Sequence, residues 1–516
     1  MGTAVLDGAP VGVFHDDAIY VTLGRALATG HGFRYLNLPG TPAAIHYPPG
    51  YPALLAMLWT VAPEFPSNLV LFKSVNLLLL AVAAVLAARL TRARVHSERA
   101  AIVVGVLAAV SVPLLTLGSM VLSEPLFLVM LLALLAAAEH LCEARVRHPG
   151  RADGSGKASI DALTVRASAS PAFLLGAGIG ALALVRSHGV VLAPACVLVL
   201  ALRRRWRDAA ILAVGTAVVL IPWQLWCAAH ANDLPLALRG VYGSYSGWLA
   251  AGVRAAGPTF LLETVQRTTT DLALTMAALC SPSRSHVGHG VTYVALAVLA
   301  GLGTVALWRK APVMLLFCSA YLAITIMWPF PPARFAWAIW PLVLMLLVAG
   351  ALGARRDHAM RGTAERIVHG TALAAAAWLA VGYALYEVRA VRGAWWGSVS
   401  RSERRRIEPT IAWTLAHTRP SDVIASEDDA ALFLYTGRQA VPVLAASPLR
   451  YLHPVAPADD ARDGLAPIID RYHPNVVVVG SDGPLAVATL LTGPPVPRLQ
   501  PLRPFPGGAA FTVIAP

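Results

Sequence analysis

Ten apolar stretches lie between residues 68 and 386, at 68–90, 100–118, 121–141, 171–185, 188–202, 208–228, 290–308, 311–328, 335–354 and 368–386. About 20 apolar residues are needed for a helix to cross the hydrocarbon core of a bilayer. So many runs near that length predict an α-helical polytopic membrane protein of about ten spans. Composition points the same way: 13% of the 516 residues are charged, against about 25% in a soluble domain.

The formal charge of +13 is carried almost entirely by arginine. In a soluble chain this would point to nucleic acid. Beside apolar runs it points to cationic loops that fix topology against anionic headgroups, and no nucleic-acid partner is expected. The basic loops alternate with nearly uncharged ones. Arg89, Arg92, Arg94 and Arg99 form the first basic group, and Arg145, Arg147, Arg151, Lys157 and Arg166 the second. Arg203, Arg204, Arg205 and Arg207 follow, then Arg309 and Lys310, then Arg355, Arg356, Arg361 and Arg366. With the basic loops inside, the chain must cross an even number of times between Arg166 and Arg203. The short stretches 171–185 and 188–202, meeting at Arg186-Ser187-His188, supply two crossings.

Ten spans put both termini outside. Residues 1–67 then lie outside with no span before them, and 1–12 lack the basic and apolar regions of a signal peptide. One further helix upstream of Met1 is therefore expected. The five cysteines, Cys142, Cys196, Cys227, Cys280 and Cys318, show neither metal spacing nor a paired pattern, and no disulfide framework is expected.

Three pieces project outward: 1–67, the loop 229–289 and 387–516, on either side of and within a transmembrane region 68–386. In the first, Asp16-Asp17 begins a helix over 17–29 whose Ile19, Leu23, Ala26 and Leu27 share one face. It is expected to lie on the membrane surface and to stop at Gly30. His46 through Pro52 forms a rigid turn before an apolar stretch, 53–62, too short to span. The second carries an amphipathic stretch near 258–279. The third combines strand-like 422–426, 475–480 and 510–514 with helical 429–436 and 462–472, predicting a small extracytoplasmic α/β domain.

Charged residues at the outer helix ends are the candidates for chemistry. Asp16 and Asp17 repel, which raises one pKa and suits a general base or a divalent cation; a helix cap plus a solvated acid is the alternative. Glu124, in Ser123-Glu124-Pro125, is a carboxylate at the edge of an apolar helix, where charge is costly and usually functional, or else a headgroup-level cap. Arg186, with His188, suits a phosphate, which guanidinium binds through paired hydrogen bonds; pairing to Glu124 or snorkelling is the alternative. Arg334 opens a late helix on the same side, and Tyr20 lies one turn beyond Asp16. His46 is a candidate metal ligand or an ordinary loop histidine. Trp328, Trp337, Trp340, Trp378, Trp395 and Trp396 read as an interface belt.

His15-Asp16-Asp17-Ala18-Ile19-Tyr20, Arg25 through Phe33, and Tyr47-Pro48-Pro49-Gly50-Tyr51-Pro52 together resemble the first outer loop of the GT-C fold membrane glycosyltransferases. These include protein O-mannosyltransferases and the aminoarabinose transferases of lipid A. The likeness extends to Ser123-Glu124-Pro125, to Leu184 through Gly189, to Arg334-Phe335 and to Thr436-Gly437-Arg438. It implies a polyprenyl- or dolichyl-phosphate sugar donor, inverting hexosyl or pentosyl transfer to a glycan, lipid or protein acceptor, and a bacterial cytoplasmic membrane with the active face outside. By the same likeness Asp16 or Asp17 matches the first-loop acid, as base or metal ligand. Glu124 matches the second acid and Arg186 the lipid-phosphate cation, with Arg334, Tyr20 and His188 beside it. A divalent metal on Asp17 and His46 is implied, although His46 stands where some members carry an acid. The family's usual helix before the first acidic loop is expected upstream of Met1. A lipid-linked saccharide flippase or other transporter is the competing function; charges at helix ends rather than mid-membrane favour the enzyme.

Overall fold

The computed structural model describes residues 11–143, 170–356, 363–444, 448–453, 455–494 and 497–514. The basic residues 145–166 and Arg361 lie outside them.

Every one of the ten apolar stretches is helical. Leu69–Val95, Glu124–Glu143, Trp206–Ala229, His286–Leu307 and residues 366–392 of the helix Thr363–Arg392 are long and apolar enough to cross a membrane. The chain is a multi-pass integral membrane protein. The expected helix 100–118 is broken: Glu98–Val110 and Val112–Gly118 meet at Ser111 with a bend of 50°. Pro113, near the start of the second piece, has no N–H to continue the ladder and crowds the preceding turn. The expected 335–354 is broken too, into Ala333–Ala338 and Trp340–Arg356. Pro171–Val185, Ser187–Leu202, Pro312–Ile326 and Trp340–Gly353 are shorter apolar helices.

Small residues bring helix backbones together, as expected where lipid offers no hydrophobic drive. A Cβ on Gly176 would lie 2.1 Å from Leu212 O, and one on Gly215 2.4 Å from Phe173 O. These reciprocal approaches pack Pro171–Val185 against Trp206–Ala229.

The bundle has two chemically different ends. At one, Arg94 pairs with Glu143 and donates to Lys310 O, Arg203 donates to Cys142 O, and Arg205 to Leu141 O. Glu124, Arg186 and Arg334 meet at the other, a full helix length away from Glu143.

The helix Asp16–Ala28 is not a surface helix. Residues 17–24 and Ala26 are buried, because the chain folds further protein over both faces. The turn at His46 ends at Pro49, and Gly50–Val61 is already helix, with Tyr51, Pro52, Leu55 and Trp59 buried. The loop 229–289 is itself helical, over Leu236–Tyr242, Tyr245–Ala256 and Pro258–Cys280.

After the helix Ser398–His417 comes a five-stranded sheet of β1 (Ile424–Ala425), β2 (Ala440–Val441), β3 (Val476–Val479), β4 (Leu499–Pro501) and β5 (Ala509–Val513). Its order is β2-β1-β3-β5-β4. β1 runs parallel to β2 and β3, and β5 antiparallel to β3 and β4. β1, β3 and β5 fall on the expected strands. The unit docks on the first loop: Ala440 N donates to Asn37 O at 2.7 Å and Val11 N to Tyr435 Oη at 3.2 Å.

Candidate active site

Asp16 and Asp17 are adjacent in sequence, but their carboxylates do different work. His15 adopts a left-handed backbone, φ 62°, which curls the preceding residues over the helix start. Asp17 turns back under that curl and accepts from Gly12 N at 3.0 Å, Val13 N at 3.3 Å and Phe14 N at 3.3 Å. Burial pushes its carboxyl up, and these backbone donors work against that rise. Asp16 instead faces the open side. It accepts from Tyr47 Oη at 2.8 Å and from Arg334 Nη1 at 3.1 Å.

Glu124 is the first residue of its helix and is 1% exposed. Its Oε1 receives Arg334 Nη2 at 2.8 Å, Arg334 Nε at 3.1 Å and Arg186 Nη1 at 2.8 Å. A carboxylate this deep is tolerated because two guanidinium groups share it. Arg334 thus bridges the first-loop acid and the second. Burial works against its charge, but Glu124 and Asp16 outweigh that and hold it protonated. The headgroup-level cap considered for Glu124 is ruled out by its burial. The pairing of Arg186 to Glu124 is present.

Arg186 is extended between two helices, φ −145° and ψ 128°. Its guanidinium lies over Phe335 at 5.3 Å, and the His188 ring packs against the same Phe335 at 4.9 Å. Three nitrogens in this corner are buried without a partner: Arg186 Nε and Trp337 Nε1, both donors, and His188 Nε2, which donates in its Nε2–H tautomer. Unpaired buried polar atoms are rare in folded proteins and call for an explanation. All three residues line one cavity of about 800 Å³, together with Asp16, Tyr20, His46, Tyr47 and Arg334. Tyr20 lies 3.3 Å from Ser123 Oγ through its hydroxyl, and its ring packs edge-on against Tyr47 and Tyr51.

The Asp17–His46 pair expected to hold a metal is not assembled, since His46 lines the cavity and Asp17 does not. Asp17 is taken up by three backbone donors. His46 donates from Nδ1 to Gly243 O, and burial lowers its pKa to about 4, so the ring is neutral and keeps Nε2 as an acceptor, the form in which imidazole binds metals. Among the described residues no group of three or more His, Cys, Asp or Glu could hold a metal ion.

No protein-family model matches the chain, and no curated relative matches it. Solved structures do. The chain superposes over 100% of its length, and 96% of the other's, on ArnT from Cupriavidus metallidurans bound to undecaprenyl phosphate, with TM-score 0.56 at 14% identity. The same protein in its apo state gives 0.55 at 13%, over 99% of this chain and 95% of that one. The oligosaccharyltransferase of Archaeoglobus fulgidus in complex with zinc and sulfate gives 0.52 at 13%, over 92% of this chain and 64% of that one.

The chain has the GT-C fold.

Within this GT-C fold, Asp16, Tyr20, Glu124, Arg186, His188 and Arg334 come together at one end of the bundle, with His46 at the cavity's edge. Asp17 does not line the cavity. Sequence reasoning missed Tyr47, whose place in the Tyr47-Pro48-Pro49 turn was the available signal. The tryptophan belt also needs correction. Trp328 and Trp337 line the cavity, and Trp340 is fully buried with Nε1 on Tyr383 Oη at 3.1 Å. Glu427, Arg450 and Tyr451 reach the same cavity from the sheet-bearing unit, a juxtaposition that has no local sequence signal.

Proposed function

We propose that this protein is a membrane glycosyltransferase that moves a sugar, with inversion, from a polyprenyl-phosphate donor to an acceptor hydroxyl. Ten crossings, with the arginine-rich end in the cytoplasm and the Asp16–Glu124 end outside, complete the reading. The observation that carries it is the Arg334 bridge between Asp16 and Glu124, set beside the unpartnered nitrogens of Arg186, His188 and Trp337.

The chemistry follows from charge balance. Two carboxylates and two guanidinium groups cancel, so the empty cluster tolerates burial. The donor is a phosphodiester with one negative charge, matched to Arg186 Nε, His188 Nε2 and Trp337 Nε1, with the lipid tail against apolar helix faces. Asp16 takes the acceptor proton as the acceptor oxygen attacks the anomeric carbon. The bond from that carbon to the phosphate oxygen breaks, and its electron pair stays on the phosphate. Asp16 loses one negative charge as the phosphate gains one. Arg334, released from Asp16, is then free to favour the leaving group, an interaction strongest in the transition state.

The support from relatives is that ArnT of Cupriavidus metallidurans is described bound to undecaprenyl phosphate. The test is transfer from a polyprenyl-phosphate sugar in proteoliposomes. Wild type should transfer, Asp16→Asn and Glu124→Gln should be slower by at least about a hundredfold, and Arg186→Ala should lose lipid-phosphate binding. Equal transfer by all would overturn the catalytic assignment. Movement of the lipid-linked sugar across the bilayer without transfer would establish the transporter instead.

A further inference from the structure

The last span ends in positive charge where topology and helix electrostatics both disfavour it. Its apolar helix over residues 366–392 has 27 residues, which at about 1.5 Å each reach about 40 Å, from one headgroup layer to the other. The end at Arg392 lies at the active-site end of the bundle. Glu387 accepts from Val112 N at 3.0 Å, and Ser119 Oγ, shortly before Glu124, donates to Trp396 O at 3.0 Å. Arg389 and Arg392, in the last turn, therefore stand at headgroup level. A short elbow, Trp395–Gly397, then turns the chain into the helix Ser398–His417. Trp396 is buried at the elbow with Val112, Leu115 and Ala390, whereas Trp395 and Val399 are each 38% exposed.

Four arginines around this elbow are exposed and have no carboxylate: Arg389, Arg392, Arg401 and Arg405. The acids nearby are engaged elsewhere, Glu387 on Val112 N, Glu403 on Arg406 and Glu408 on Arg404. Arg401 donates to Ala394 O at 2.8 Å, a neutral acceptor. The C-terminal dipole of the span accounts for Arg389 and Arg392. It does not account for Arg401, which lies in the first turn of the next helix, where the dipole repels a cation and no acid stands with it. Arg405 follows one turn later, within about 10 Å of the elbow along the helix axis, about one Debye length. The positive-inside bias disfavours all four on an outer flank. None of them lines the cavity at Asp16, so the donor phosphate does not explain them.

We propose that this elbow binds the phosphate groups of anionic phospholipids in the outer leaflet. The inference takes only the name of the leaflet from the orientation proposed above and needs none of the transfer chemistry. A phosphodiester headgroup with net negative charge supplies the partner that each guanidinium lacks. A zwitterionic headgroup brings its own cation into the same layer and leaves the positive field uncompensated. A soluble polyanion matches the charge but not the apolar side chains exposed among the arginines, Trp395, Val399 and Val388, which suit the boundary between headgroup and acyl chain.

The test uses the full chain in phosphatidylcholine nanodiscs doped with a photoreactive phosphatidylglycerol, and maps crosslinks by peptide mass spectrometry. Wild type should crosslink within 388–405, and plain phosphatidylglycerol should compete at least about tenfold better than added phosphatidylcholine. Yield there should fall at least about tenfold in the quadruple variant Arg389→Gln, Arg392→Gln, Arg401→Gln and Arg405→Gln, and by an intermediate factor in Arg401→Gln with Arg405→Gln alone. Lysine at the same four positions should keep most of it. Crosslinks at the basic loop 203–207, at the other end of the bundle, should be unchanged in both glutamine variants, which shows that they are folded. Equal competition by the two phospholipids, or unchanged yield in the glutamine variants, overturns the site. Stronger competition by polyprenyl phosphate also overturns it, by giving the arginines to the donor. Transfer assays on wild type keep the two readings apart. Elbow crosslinks without transfer leave the lipid site and remove the transferase, and transfer without elbow crosslinks does the reverse.

Discussion

Arg334 holds Asp16 across 318 residues of chain, Nη1 to Oδ2 at 3.1 Å. It reaches Glu124 with its other two nitrogens, so one planar fork fixes both acids. Lysine offers a single point charge and cannot reproduce that geometry. Arg334→Lys should fold but lose at least about a hundredfold in transfer rate. Arg334→Ala should in addition lose about 3–5 kcal/mol of stability, because Glu124 keeps its burial and loses half its partners. Transfer kinetics and thermal melts on the two variants check this.

The two neighbouring aspartates should separate cleanly. Asp16→Asn removes the proposed base and should lower transfer by about 10²–10⁴-fold with little change in melting temperature. Asp17→Asn keeps one acceptor oxygen for the Gly12, Val13 and Phe14 amides. It should cost about 1–2 kcal/mol, as loss of a helix cap does, and retain transfer at low temperature. The reverse pattern would move the base to Asp17.

This contrast marks how much of the site was legible beforehand. Apolar runs announce their own helices, and the Arg186-Ser187-His188 interruption separates 171–185 from 188–202 without structural help. Glu124 and Arg186 stand out because charge at the edge of an apolar run is expensive. What adjacent letters do not reveal is direction: whether Asp16 or Asp17 turns inward depends on the left-handed turn at His15. Nor does sequence show that Tyr47, Trp337 and Glu427 converge on one cavity, since those contacts join distant elements. β2 and β4 escaped notice because they are two and three residues long and the sheet edge at β4 includes Pro501, which strand patterns exclude.

His15 links the first loop to the sheet-bearing unit. Its Nε2 meets Asp429 Oδ1 at 2.9 Å, and Tyr242 bonds the same carboxylate. Burial opposes charge on His15, but the bond and the charge of Asp429, with Asp16 and Asp428 behind, raise its pKa above the ordinary 6.5. A raised value in the folded state means the pair contributes fully below pH 6.5 and is lost as pH rises through the folded value. The melting temperature should therefore fall on going from about pH 6 to about pH 9. His15→Gln should flatten that slope. An unchanged slope in His15→Gln would assign the pH dependence to another group.

Gly303 and Gly350 interlock the helices His286–Leu307 and Trp340–Arg356. A Cβ on Gly303 would fall 2.1 Å from Leu346 O, and one on Gly350 2.1 Å from Leu299 O. Both obstacles are backbone, so no rotamer change relieves them and the helices must separate. Gly303→Ala and Gly350→Ala should each cost about 1–3 kcal/mol, the usual range for overpacking. Gly301→Ala is the control: its Cβ would meet nothing within 4 Å, and alanine favours the helix by about 0.5–1 kcal/mol. The effect should reach the site. The helix Trp340–Arg356 follows directly on Ala333–Ala338, which carries Arg334, so displacing one drags the other away from Glu124. Transfer should fall in Gly350→Ala and hold in Gly301→Ala, measured below the melting temperature of both. Loss of stability with full transfer would mean that the Arg334 bridge is positioned independently of this helix pair.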